Sequence, residues 1–193
     1  MRADSVEDFH RWSATYEDSW LQGHFFDHVH RGILSFISPE SVITSILDVG
    51  CGTGRLLRKV KERYPEAQFI GVDPAEGMIE KARQMQKDAT FFIAPAESLP
   101  LPDASVDLAL STMSFHHWSD QMQGIREIRR VLRRNGQLLL ADTPGFLISR
   151  IFRHGQMRNS AAVRSMFEQA GLEVRGQHRL MLGHVLVTVG IRL

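Results

Sequence analysis

Leu47-Asp48-Val49-Gly50-Cys51-Gly52-Thr53-Gly54 is the stretch on which the reading of this chain turns. It closes a short apolar run, Ser45–Val49, that reads as a buried strand. It opens Arg55–Tyr64, where Leu56, Leu57 and Val60 share one helical face and Arg58, Lys59 and Lys61 the other. Glycines at such a junction let the backbone turn sharply and let a ligand approach where a Cβ would obstruct it. In open α/β sheets, ligands bind outside the carboxyl ends of strands. The spacing is G-x-G-x-G, not the G-x-G-x-x-G of dinucleotide-binding turns, which would need glycine at Arg55. This disfavours a nicotinamide or flavin dinucleotide. Asp73 lies 19 positions after Gly54, at the end of a second apolar run. A carboxylate there can accept both hydroxyls of a ribose; it can also simply cap the helix that Pro74 starts.

Outward from this turn, apolar runs alternate with helical patterns. Gln68–Val72, Thr90–Ala94, Val106–Ser111 and Gln137–Ala141 read as further strands. Pro74–Gln86 and Asp120–Arg133 read as helices, the second ended by Asn135-Gly136. Ser160 is expected to cap a helix running to Ala170, stopped by Gly171. Two last strands, around Leu172–Leu182 and Val185–Ile191, meet at Gly183-His184, which suits a hairpin. Strands separated by helices imply a parallel sheet covered on both faces, and the closing pair must be antiparallel. The expected fold is therefore α/β, a three-layer sandwich.

The chain has 193 residues, enough for one domain with a short appendage. We expect residues 1–40 to form an N-terminal helical cap segment and residues 41–193 a single globular unit. Cys51 is the one cysteine, so neither an intramolecular disulfide nor a multi-thiolate metal site is available. The N-terminal stretch lacks an apolar core of signal-peptide length, and no run is long enough to span a bilayer. The expected setting is cytoplasmic. A net charge of +1 gives no overall reason to seek nucleic acid. The charge is uneven, however: residues 1–45 carry net −4 and residues 143–193 net +5. Either opposite charges occupy different faces of one domain, or a basic patch lies near a bound anionic acceptor.

Four segments in order, ILDVGCGTG (46–54), IGVDPAEGMIEKAR (70–83), AESLPLPDASVDLALS (96–111) and EIRRVLRRNGQLLLAD (127–142), resemble the class I S-adenosylmethionine-dependent methyltransferases. The likeness is to the type 11 branch that includes ubiquinone and menaquinone biosynthesis enzymes. It implies a Rossmann-like sheet of seven strands in the order 3-2-1-4-5-7-6 with strand 7 antiparallel. It implies S-adenosyl-L-methionine as cofactor, with Asp48 and Gly50 at its methionine end and Cys51, Gly52 and Gly54 in the turn beneath it. Asp73 would bind the ribose, Pro74 and Met78 would flank the adenine, and Ala96 would offer it a backbone amide. Ser111 and Met113 would lie beside the sulfonium. The family's usual acid before Ala96 is replaced by Pro95, so Glu97 is the candidate to take over the adenine amino group. Cys51 reads as a small packing residue rather than a nucleophile.

For proton removal from an acceptor the candidates are His116 and His117, since imidazole titrates near neutrality. Phe9, Trp12, Tyr16 and Trp20 recur at helical spacing. This is either an amphipathic helix packed on the sheet or, as the resemblance implies, a helix that closes over the cofactor and places Tyr16 near the methyl as a further candidate for a catalytic role. His24, His28 and His30 raise the question of a metal, but no carboxylate is clearly placed to complete a site, and none is expected. The loop 143–159 is expected to form a short lid. Together these readings imply a methyltransferase acting by in-line displacement on a small-molecule acceptor, as a monomer or homodimer. A same-fold cofactor-binding protein without catalysis, or a partner subunit, is the alternative. A dinucleotide oxidoreductase is a further one.

Overall fold

The computed structural model describes residues 25–39, 42–144 and 158–193. A helix, α1 (Asp27–Leu34), precedes β1 (Ser45–Val49), α2 (Arg55–Arg63), β2 (Gln68–Asp73), α3 (Glu76–Met85) and β3 (Ala89–Ile93). There follow β4 (Val106–Thr112), a 3-10 turn (Phe115–His117), α4 (Gln121–Val131), β5 (Leu132–Asp142), α5 (Ser160–Gln169), β6 (Leu172–Leu180) and β7 (Val185–Arg192). The seven strands form one sheet in the order β3-β2-β1-β4-β5-β7-β6. β1 to β5 are parallel, and β7 runs antiparallel to both β5 and β6. The expected fold class and strand order are thus found.

Side chains alternate across the sheet and feed two cores. Ile46, Leu108, Leu110, Leu139 and Ala141 pack with Val29 and Ile33 of α1, Leu56, Leu57 and Val60 of α2 and Ile79 of α3. Leu47, Val49, Ala109, Leu138 and Leu140 pack on the other face with Ile125 and Ile128 of α4 and Val163 and Phe167 of α5. β1 is buried along its whole length, as a central parallel strand must be. This fixes where its carboxyl end, and the glycine turn, emerge.

Several boundaries differ from the expected ones. α3 starts at Glu76, because Asp73 Oδ1 accepts the Ala75 N–H at 2.9 Å and holds Ala75 extended. The cap of α5 is Asn159, whose Oδ1 accepts the Ala162 N–H at 2.9 Å; Ser160 lies inside the helix. Asn135-Gly136 does not end α4. The chain passes from Val131 directly into β5, pairing Leu132 with Val106 and then Gln137 with Leu108. Arg133–Gly136 bulges out between these pairs, with Asn135 in the left-handed region at φ +64. Gly136 is needed for close approach: a Cβ there would stand 2.8 Å from the Arg133 carbonyl oxygen. The expected hairpin forms between β6 and β7, turning through Met181–Gly183.

Gly71 of β2 makes the tightest fit beside the turn. A Cβ there would lie 2.5 Å from the Phe91 ring and 2.8 Å from Cys51 Sγ. Gly71→Ala is expected to lower the unfolding free energy by about 1–3 kcal/mol through overpacking. Urea denaturation measures it, and an unchanged midpoint would contradict the packing described.

Candidate functional site

The carboxyl ends of β1, β2 and β4 meet at the glycine turn. Gly50, Gly52 and Gly54 all have positive φ, at +74, +52 and +76. The Gly50 and Cys51 N–H groups donate to the Val72 carbonyl at 2.7 and 3.1 Å, which pins the turn to the end of β2. A Cβ at Gly50 would fall 2.4 Å from Ser114. Ser114 Oγ donates to the Val49 carbonyl at 3.0 Å and lies 2.9 Å from Ser111 Oγ. The sequence reading missed Ser114; nothing in its residue type signals that it fills the hollow under Gly50.

Asp73 joins two elements. Its Oδ2 accepts the Gly52 N–H at 3.0 Å, and its Oδ1 accepts the Ala75 N–H at 2.9 Å. One side chain thus ties the glycine turn to the residue that precedes α3. Burial raises its pKa to about 6, against the lowering pull of the two N–H donors. The carboxylate retains lone pairs for ribose hydroxyls.

Asp48 is only 1 % exposed. Its neighbours in register are Gly71 and Leu110, neither of which offers a side-chain partner. Its Oδ1 has no hydrogen-bond partner among the described residues. Burial, and secondarily the charge of Asp73, push its pKa up to about 8. An acid so placed fits the ammonium of an amino-acid ligand, which would supply the charge the protein withholds. Glycines at the turn fit the backbone approach of the same ligand. These residues suit S-adenosylmethionine.

The other expected site residues are distributed as follows. Pro74 is half-buried beside Asp73, while Met78 is fully buried. Cys51 is buried, which raises its thiol pKa and leaves it unreactive, with Sγ close over Gly71. Ala96 is buried near Trp118 and Gly124. Glu97 turns to the start of α4, where its Oε1 accepts the Asp120 N–H at 2.9 Å. That engagement draws it toward α4. Ser111 is buried and tied to Ser114, and Met113 follows β4 at φ +53, its N–H donating to the Ala141 carbonyl.

His116 has a partner that the sequence reading did not single out. Its Nδ1 lies 2.8 Å from Asp142 Oδ1, and its backbone N–H donates to Asp142 Oδ2 at 2.8 Å. The Thr143 N–H also donates to Asp142. Asp142 ends β5 as Asp73 ends β2, so its position at a strand terminus was the available signal. The His117 ring lies 4.0 Å from that of His116, centroid to centroid. His30 was likewise met only as a metal candidate. It is buried on α1 with Nε2 3.4 Å from Thr112 Oγ1 at the end of β4. Burial, and then the Lys59 charge, lower its pKa to about 3. His28 is exposed, and among the described residues no three potential ligands cluster around a metal position. Tyr16, the aromatic series around it and His24 lie outside the described residues, as does most of the loop 143–159.

This seven-stranded order, with its turn and strand-end acids, defines the class: the fold is that of the class I methyltransferases. Residues 47–140, just under half of the chain, match the family model described as a methyltransferase domain. The chain is 35 % identical over 106 residues to a demethylmenaquinone methyltransferase of Thermotoga maritima, covering 55 % of this chain and 44 % of that protein. It is 36 % identical over 136 residues to a malonyl-[acyl-carrier protein] O-methyltransferase of Hahella chejuensis, covering 69 % and 47 %. The chain thus spans about half the length of these curated relatives. Among solved structures, an S-adenosylmethionine-dependent methyltransferase from Thermotoga maritima superposes with TM-score 0.77 at 23 % identity, over 96 % of this chain and 98 % of that one. The cyclase SpnF superposes with TM-score 0.75 at 18 % identity, over 86 % and 80 %.

Burying Asp48 has a measurable consequence. Its folded pKa, about 8, exceeds its ordinary value of 3.8, so between these pH values the folded chain holds a proton that the unfolded chain has lost. Stability of the ligand-free protein must then fall as pH rises through that window. Asp48→Asn is expected to flatten the decline, read as melting temperature against pH from 5 to about 9. An equally steep decline in the variant would show that Asp48 is not its source.

Proposed function

We propose that this protein transfers a methyl group from S-adenosyl-L-methionine to a small-molecule acceptor by direct in-line displacement. The observation that carries the reading is Asp48, buried beside the glycine turn with its Oδ1 unpartnered among the described residues. A buried acid with no ion pair among the described residues is matched by a ligand ammonium. Asp48 and Gly50 would hold the methionine end of the cofactor. Gly52 and Gly54 would admit it to the turn, Asp73 would take the ribose hydroxyls, and Pro74 and the Ala96 amide would bound the adenine. When bound, the cofactor supplies a methyl carbon on a sulfonium, which an acceptor lone pair takes as the carbon–sulfur bond breaks and a neutral thioether is left. The protein's part is to align the acceptor and exclude water.

An acceptor oxygen or nitrogen that carries a proton must lose it, and His116 is our base. Asp142 would hold its Nδ1 as the protonated nitrogen, leaving Nε2 to accept. Asp142 is then a positioning residue. His117 and Tyr16 remain candidates for shaping the acceptor's side of the site. Residues 1–40 would form a cap, and residues 41–193 the catalytic unit. No helix among the described residues is long and apolar enough to cross a membrane. We place the protein in the cytoplasm, as a monomer or homodimer. A second reading, a same-fold binding protein without methyl transfer, is favoured by Pro95, which lacks the acid expected before Ala96. Affinity for S-adenosylhomocysteine with no methyl release over a metabolite library would support it.

Asp73→Ala is expected to weaken S-adenosylhomocysteine by about 1.5–3 kcal/mol, the worth of a charged hydrogen bond. Calorimetry reads this, and unchanged affinity would remove the ribose assignment. His116→Gln should lower turnover by ~100-fold or more while leaving S-adenosylhomocysteine affinity intact. Asp142→Asn should lower turnover less. Methyl release from labelled cofactor at the parent rate in His116→Gln would exclude it as the base.

A further inference from the structure

A groove of about 670 Å³ opens at the opposite end of the sheet from the glycine turn. It lies at the start of β4 and β5, where Asp107 and Gln137 sit, and at the end of β7, where Ile191 sits. Two separate irregularities deliver arginines to it. In β5, the bulge between Leu132 and Gln137 carries Arg134 and Asn135 outward. In β6, the register with β7 skips from Val174 to Gly176, so Arg175 is the extra, unpaired residue. Such bulges re-aim a side chain and are over-represented beside functional sites. β5 and β6 are not sheet neighbours, since β7 runs between them, so the two bulges arise independently.

The rest of the groove is shaped around the same spot. The His178 ring stacks on Phe36 at 4.3 Å between centroids and 18° between planes. Gly176 makes room for it, because a Cβ there would stand 2.7 Å from His178 Nε2. Gln137 is buried and fixes the segment after α1: its Nε2 donates to the Phe36 carbonyl at 3.1 Å, and its Oε1 accepts the Ser38 N–H at 3.3 Å. Val189 and Ile191 add apolar surface.

Among the described residues that line the groove, the charges do not cancel. Asp107 is the acid among them, and it is engaged by Arg133 at 2.9 Å and by Thr44 and Ser45. Arg134 makes no ion pair among the described residues. Among the described residues, exposed Arg175 pairs with half-buried Glu173 at 3.2 Å, a pair worth little near water. One charge of the basic C-terminal segment, that of Arg175, thus lies with Arg134 away from the glycine turn.

We propose that this groove binds a small organic oxyanion, a phosphate or carboxylate on a planar or apolar body. The head group would lie between Arg134 and Arg175, within reach of Asn135, and the body against Phe36, Val189 and Ile191. Its volume is in the range that ordinary ligands fill. Methyl transfer is not required for this site, and its test is independent of the cofactor.

Phenyl phosphate and benzoate are the probes, with inorganic phosphate and benzyl alcohol as head and body alone. Amide shifts followed by NMR should saturate with at least one aromatic anion, with the Gly136 and Gly176 signals moving and those of Gly50–Gly54 unmoved. Each fragment alone should bind more weakly, and affinity should fall as salt rises. The double variant Arg134→Glu/Arg175→Glu should bind at least about tenfold more weakly. Arg164→Glu, on α5 outside the groove, should bind normally. Circular dichroism confirms that each variant is folded, and both substituted arginines of the groove are exposed, so folding should survive. Tighter binding of phenyl phosphate or of benzoate identifies the head group. Absence of saturable shifts at millimolar probe, indifference to the double variant, or shifts confined to the glycine turn would each overturn the proposal.

Discussion

The carboxylate of Asp73 accepts one N–H from the glycine turn and one from the start of α3, and the site's geometry follows from that double hold. Gly52 is left-handed and carries no side chain, so at this position the turn is held through its backbone. Asp73 ties it to the end of β2, and the Val72 carbonyl takes the Gly50 and Cys51 N–H groups beside it. Packing reinforces this from below, where Cys51 and Phe91 crowd against Gly71. The floor of the candidate site is therefore rigid because hydrogen bonds and a side-chain-free strand position agree, and because the buried β1 cannot shift beneath it.

The same region stores an electrostatic cost. Two acids, Asp48 and Asp73, are buried close together, and each has its pKa raised. Asp73 offsets part of that cost through its N–H donors; Asp48 Oδ1 has none. A fold under selection for stability alone would gain by an apolar residue at position 48. The acid makes physical sense if a cation arrives with the ligand. By contrast, Asp27 near the start of α2 is held well below the usual carboxylate range, chiefly by Arg55 and also by Lys59. The structure thus pairs an acid where it needs only an anchor between helices, and at the turn leaves Asp48 Oδ1 without a partner among the described residues.

Much of the fold was legible because the sheet is buried on both faces and its strands read as apolar runs. The glycine turn, Asp73 and the order of segments needed only local pattern and a family resemblance. What escaped depends on contacts between distant segments. The Asn135-Gly136 pair looks like a helix stop, yet the pairing of Leu132 with Val106 makes it a bulge inside a strand. Nothing local tells that Glu97 meets the start of α4, where its Oε1 accepts the Asp120 N–H. Asp142 and His116 are separated by 26 positions and join only because β4 and β5 end side by side. His30 could be met only as one of three histidines, since nothing local tells that its ring meets Thr112. SpnF, a cyclase, shares the architecture, so the chemistry must be argued from the site and not from the sheet.

Calorimetric titration with S-adenosylhomocysteine near neutral pH, repeated in buffers of different ionisation enthalpy, tests the central claim most directly. With Asp48 protonated in the free chain and ionised against the ligand's ammonium, binding must release protons to the buffer. The account predicts saturable binding with a heat that changes with the buffer in the sense of net release. No binding, or binding with net proton uptake, would contradict it.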